Sequence, residues 1–318
     1  MNPEIISVTA GVFAIMAVGA GARKLRWLSH EADESLLRIT IRVLLPCLII
    51  HMVANNEAMH RAVNLWAPPL VGFVSICVGI ALSALTVRLF SRMRCFEQAK
   101  QRRTFALSVG IFNYGYIPLP LVGALYGAKT TGVLFVHNVG VEVAMWTVGL
   151  IVLTGGFGKA WWKHVVNPPL AAIVLGIMLN LSGAGAHVPG PIMFVITSLG
   201  AAAIPMGLLL IGATMADELM AEGGATSYFV IALAIVLRLA ILPAIFLLAA
   251  RWLPWSIELK QVIAVQAAMP AAVFPIVLAK HYGGDPGTAT GISLATSVVG
   301  LATMPIWLYV GPMIVGLP

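Results

Sequence analysis

The sequence predicts an all-α polytopic membrane protein of ten transmembrane helices, arranged as a 5+5 inverted repeat with crossed, broken helices 4 and 9. Three observations predict it. First, 60% of the 318 residues are hydrophobic and only 10% are charged, with a mean hydropathy of +0.96; a soluble domain carries about 25% charged residues. Second, the chain holds ten apolar runs near the ~20 residues needed to span a bilayer, at roughly 4–22, 33–54, 66–90, 103–126, 130–154, 168–183, 190–216, 226–252, 258–281 and 287–312. Third, two of these runs share an unusual design. Ser108–Gly127 carries Pro118 and Pro120, Ala264–Gly283 carries Pro270 and Pro275, and both end in Tyr-Gly, at Tyr126-Gly127 and Tyr282-Gly283.

The first run has no basic residues ahead of it, its first charge being Glu4, so it reads as a retained span and not a cleaved signal. The second has Pro46 inside an apolar run, and the seventh has Pro205 in the matching place. A proline removes a backbone donor and clashes with the preceding turn, so the fourth and ninth runs are expected to break at Pro118–Pro120 and Pro270–Pro275 and to cross near the membrane midplane. A broken helix at membrane depth survives only inside protein or beside a polar cavity. The sixth run is short and begins at Asn167-Pro168-Pro169, where proline suits a helix start; the seventh follows Pro189-Gly190-Pro191.

Lys and Arg in the loops set the orientation. Loops after odd-numbered runs hold 12 (Arg23, Lys24, Arg26, Arg88, Arg92, Arg94, Lys100, Arg102, Arg103, Lys159, Lys163 and Lys280), and those after even-numbered runs hold 4 (Arg61, Lys129, Arg251 and Lys260). The odd loops are therefore expected in the cytoplasm and both termini outside, in a cell membrane. Five spans per half give the halves opposite orientations, 1–154 against 155–318. Interrupted spans at matching places in two such halves point to a transporter's binding site.

Other classes find little support. Cys47, Cys77 and Cys95 are scattered with no CxxC, so neither a metal cluster nor a disulfide framework is expected. The +7 charge is set by loops and forms no nucleic-acid-binding face. There is no GxxxxGK[ST], so ATP is not the direct driver, and no cofactor is expected. His30-Glu31 is not followed by HExxH spacing, and the three aspartates, Asp33, Asp217 and Asp285, make no paired motif. A membrane-embedded enzyme or a channel stays as a second class.

VQAAMPAAVFPIVLAKHYG (Val265–Gly283) resembles helix 9 of the auxin efflux carrier family, which includes the plant PIN-type transporters. SVGIFNYGYIPLPLVGALYG resembles that family's helix 4, with Asn113 at its polar position and Pro120 at its crossing proline. NPPLAAIVLGIMLNLSG, GLLLIGATM and IVLRLAILPAI are similar to the start of its second half and to its helices 7 and 8. The resemblance implies a fold related to bile acid/sodium symporters. Helices 1, 2, 6 and 7 would form a scaffold, commonly dimeric, and helices 3–5 and 8–10 a mobile domain working by elevator-type alternating access. The substrate would be a small organic anion, a mono- or dicarboxylate or an auxin-like acid, and sodium coupling is the alternative. Two departures stand out: Gly155–Val166 replaces the long hydrophilic loop of many plant members, and the third span holds no acidic residue where plant carriers place one.

The residues expected to carry chemistry cluster near the breaks. The Asn113 amide can donate to a carboxylate or serve as glue between helices. Tyr114 flanks it. Gln266, four residues before Pro270, can bond freed carbonyls or the substrate, and Met269 offers an adaptable apolar wall. Asn138 and Glu142 lie i,i+4 on one face. His137 can titrate near neutrality or simply be wet. Glu142 and Arg238 each lie 12 residues into their spans from opposite sides, about 18 Å deep in a core of about 30 Å, so they are expected to face one another. They are also, with His137, the candidates for proton or ion coupling. Glu34, Arg38 and Arg42 read as a stripe that pairs and snorkels, and Thr288, Thr290, Ser293, Thr296 and Ser297 as hydroxyls that bond back to their own helix, with a place in the cavity lining as the alternative for Ser293.

Overall fold

A computed structural model describes residues 3–90, 96, 98–156, 166–220 and 226–317. Arg92, Arg94, Cys95, Lys159 and Lys163 lie outside the described residues. The chain is all-helical, with 85% helix and no strand among the described residues. In chain order the helices are α1 (Pro3–Lys24), α2 (His30–Val53), α3 (Val63–Leu89), α4 (Ala99–Gly110), α5 (Pro118–Thr154), α6 (Pro168–Leu181), α7 (Gly190–Met220), α8 (Tyr228–Trp252), α9 (Ile257–Ala267), α10 (Phe274–His281) and α11 (Pro286–Val315).

Among the described residues, seven helices, α1, α2, α3, α5, α7, α8 and α11, are long and apolar enough to cross a membrane. Ten runs become seven long helices for local reasons. The fourth and ninth runs are split by breaks, which leaves the short pieces α4, α9 and α10, and α6 has only 14 residues. The C-terminal part of the fourth run joins the fifth in α5, whose two pieces meet at Gly127 with φ 76° and ψ −172°. Only glycine adopts that backbone without strain. Gly283, at the matching Tyr-Gly, has φ 77°.

The helix starts follow their capping residues. Ser29, Asn167, Ser256 and Asp285 accept from the backbone N–H of Ala32, Leu170, Leu259 and Thr288. Three spans contain a π turn, at Thr40–Leu44, Met145–Gly149 and Leu237–Ile241. The expected Glu34–Arg38 pair forms on the exposed face of α2.

The helices pack in two groups. α1 lies on α7, which also lies on α2, and α2 on α6; α3 lies on α4 and α5, α9 on α5, α8 and α11, and α4 on α11. Arg23, counted above as a loop residue, is buried at the end of α1. Its Nη2 lies 2.5 Å from Asp33 of α2 and its Nε 3.2 Å from Asp217 of α7, so three helix ends are tied by one guanidinium.

Candidate functional site

α4 stops at Gly110 and the chain stays non-helical until Pro118; α9 stops at Ala267 and α10 begins at Phe274. The two breaks meet as a short antiparallel bridge between Phe112 and Ala271. Ala272 donates to the Ile111 carbonyl at 2.9 Å and Asn113 to the Pro270 carbonyl at 2.8 Å. The Ala271 N–H finds Thr296 Oγ1 of α11 at 3.2 Å. Backbone groups freed at the breaks are thus paired within the protein, as an apolar surrounding demands.

The position of each break differs from the expected one. The sequence placed the first at Pro118–Pro120, but Pro118 is the first residue of α5 and Pro120 lies in its first turn. Pro275 is likewise the second residue of α10, and only Pro270 sits inside a break. A first helical turn has no intrahelical partner for its N–H groups, so proline is accommodated there. The prolines start the second halves, and Ile111–Ile117 forms the first gap.

Around the crossing the polar side chains divide into two kinds. Asn138 Nδ2 donates to the Tyr114 carbonyl at 2.8 Å. Gln266 Nε2 donates to Asn138 Oδ1 at 3.1 Å and reaches the Tyr114 carbonyl at 3.3 Å. These two amides hold the first gap against α5 and α9, so Gln266 does bond a freed carbonyl. Asn113, 8% exposed, uses its backbone N–H in the bridge, and its side-chain amide makes no hydrogen bond to a described residue. Tyr116, in the same gap, packs on α7 at Gly207, where a Cβ would fall 2.1 Å from its ring. Met269 is fully enclosed in the apolar core.

His137 is not wet. It is 1% exposed, its Nδ1 lies 3.3 Å from Asn138 Oδ1, and its ring stands 6.5 Å from that of Phe112. A cavity of about 220 Å³ opens beside the crossing between α3, α8 and α9. Its lining is apolar apart from Ser75, His137, Trp255 and Gln266, with Phe112 and Phe246 as walls.

Glu142 and Arg238 do not face one another. Glu142 Oε2 accepts from Asn167 Nδ2 at 2.8 Å, at the start of α6. Arg238 Nη2 points to the Ala267 carbonyl at 3.4 Å, and its guanidinium lies over the Phe112 and Phe246 rings at 5.2 and 6.0 Å. Counting residues along each helix left the direction of both side chains around the helix axis open. The π turn at Leu237–Ile241 further shifts which face of α8 turns inward. On α11, Thr296 Oγ1 bonds back to the Ile292 carbonyl at 2.7 Å as expected, whereas Thr290 instead donates to Glu218 of α7 at 2.9 Å.

The model of a family described as membrane transport protein matches residues 5–156 and again 156–308. An uncharacterized transporter of Methanothermobacter thermautotrophicus is 25% identical over 303 residues, 93% of this chain and 95% of the relative. An uncharacterized transporter of Methanocaldococcus jannaschii is 22% identical over the same shares.

Proposed function

Because the chain belongs to the membrane transport protein family, the group of auxin efflux carrier-like proteins its motifs resemble, we propose that it is a secondary transporter moving a small organic anion by elevator-type alternating access. The observation that carries this reading is the meeting of two broken helices through paired backbone bonds, with an uncommitted amide, Asn113, beside the bridge. Broken spans meeting near the midplane are where carriers hold substrate. The N-termini of α5 and α10 begin there, and their positive dipole ends suit a carboxylate.

In this reading the ten spans form a 5+5 repeat: α4 with the first part of α5 is the fourth span, the rest of α5 the fifth, and α9 with α10 the ninth. The packing groups support the division of labour. α1, α2, α6 and α7 act as the scaffold, and the helices around the crossing move against it. The exposed apolar face of α6 and α7, with Met178, Phe194 and Val195, is where a second copy or lipid lies. Both termini face outward. Glu142 reaches from the moving group to Asn167 at the start of a scaffold helix, which suits a carboxylate that gains and loses a proton during the cycle.

The test is a thermal-shift screen of the purified protein with mono- and dicarboxylates and indole acids, followed by uptake of any hit into proteoliposomes. A bound ligand raises the melting temperature, by about 2.7 kcal/mol of added stability at a hundred times Kd, and uptake saturates. No shift and no saturable flux with any carboxylate would overturn the anion reading.

A further inference from the structure

Arg238 is a fully buried cation with no acidic partner among the described residues. It is 0% exposed, and among the described residues no carboxylate lies within 4.0 Å of it. Glu142 is occupied by Asn167, and Glu258 faces Arg61 at 3.6 Å. Among the described residues, one long bond to the Ala267 carbonyl is its only hydrogen bond, and Nε and Nη1 have no hydrogen-bond partner. A guanidinium keeps its charge at neutral pH, and burying an unpaired charge in a membrane span costs several kcal/mol.

Its location is specific. Ala267, which it touches, is the chain neighbour of Gln266, and Phe112, whose ring it covers, is the neighbour of Asn113. The guanidinium therefore backs both breaks at once, behind the residues that present amides at the crossing. α8 delivers it through the π turn Leu237–Ile241, and the Leu239 carbonyl within that turn is capped by Trp307 Nε1 at 2.7 Å. π turns recur at functional sites. The faces of Phe112 and Phe246 offset part of the charge without neutralising it.

We infer that Arg238 is the fixed positive charge that makes the crossing select anions, acting through space and not by contact. The inference rests on the organic-anion reading above and supplies the residue behind it. At an effective dielectric of about 20 and a separation on the order of 8–10 Å, one such charge favours a bound carboxylate by roughly tenfold to thirtyfold. A neutral analogue gains nothing.

Two measurements test it, one of them independent of any ligand. In a chain with Cys47, Cys77 and Cys95 replaced by alanine, Asn113→Cys places a thiol at the crossing, and its thiolate absorbance is titrated. Arg238→Gln should raise the midpoint by about one unit, and Arg238→Lys should leave it near its starting value. The second measurement compares indole-3-acetate and malonate with the neutral indole-3-acetamide. Arg238→Gln should weaken the acids about tenfold to thirtyfold and leave the amide unchanged. Arg238→Met gives the same comparison where Arg238→Gln does not fold. An unmoved thiol midpoint in a folded charge-free variant, or equal losses for acid and amide, overturns the role. If the parent protein binds neither acid, the comparison is made with an acid from the thermal-shift screen and its amide; if no carboxylate binds, the organic-anion reading fails, while the thiol titration still decides whether Arg238 charges the crossing.

Discussion

At the crossing, the amides of Asn113, Asn138 and Gln266 look alike in sequence and differ in commitment. Asn138 and Gln266 hold the Tyr114 carbonyl, whereas the Asn113 side chain holds nothing among the described residues. Their substitutions should therefore separate. Asn113→Ala should lower ligand affinity in a binding assay and leave the melting temperature within the scatter of the parent, because no internal hydrogen bond is lost. Unchanged binding at normal stability would remove Asn113 from the site. Asn138→Ala removes the shorter of the two bonds to the Tyr114 carbonyl and takes from Gln266 Nε2 its nearer acceptor, and should cost about 1–3 kcal/mol, seen as a lower melting temperature before any ligand is added. The sequence made all three visible as polar residues near prolines. It could not show which were spent on structure, since that depends on where the other break's backbone lies. It also misplaced the partner of Glu142: depth along a helix can be counted from the sequence, but azimuth is set by packing and by π turns that no residue pattern announced.

Among the elements, the paired breaks were the most legible feature. Pro118, Pro120, Pro270 and Pro275 marked the right spans, and the structure moves each gap only to where proline chemistry allows it. The less legible feature was α5, which the sequence divided into two runs. Its pieces meet at Gly127, whose φ and ψ are open to glycine alone. Gly127→Ala forces a side chain into that conformation and should destabilise the protein by about 1–3 kcal/mol, although nothing lies within 4 Å of the Cβ it would add. A melting temperature equal to the parent's would show that the kink can re-form elsewhere. The joint between the two packing groups gives a second expectation. Glu142→Gln keeps a side chain able to bond Asn167 but removes the exchangeable proton. Under the proposed coupling, uptake into proteoliposomes should persist and lose its dependence on pH. Plain instability of the variant would mark the contact with Asn167 as structural.

For the whole molecule, the elevator reading requires one packing group to slide along the other, and two carboxylate–lysine pairs cross between groups. One joins Lys129, just past Gly127, to Glu57 beyond α2, at 2.5 Å. The other joins Lys280, just before Gly283, to Glu218 at the end of α7, at 2.7 Å. The first pair is largely exposed, so solvent screens it and its contribution is small. The hydrogen bond and charge of Lys129 hold the Glu57 carboxyl below its usual range, so the pair persists above that lowered value and is lost as pH falls through it. The second pair is the firmer latch. Glu218 is only 13% exposed and also accepts from Thr290 of α11, so α7 is fastened to α10 and α11 together. If the group around the crossing moves, this latch must open in every cycle. Glu218→Cys with Lys280→Cys, in a chain lacking the three native cysteines, gives a pair that a short thiol cross-linker can bridge. Bridging should stop uptake while leaving the melting temperature equal or higher, and cleaving a reducible linker should restore it. Glu218→Gln, which removes the charge without a cross-link, should leave uptake intact. Full transport by the bridged protein would mean that α7 and α10 travel together, and the division into a fixed and a moving group would have to be redrawn.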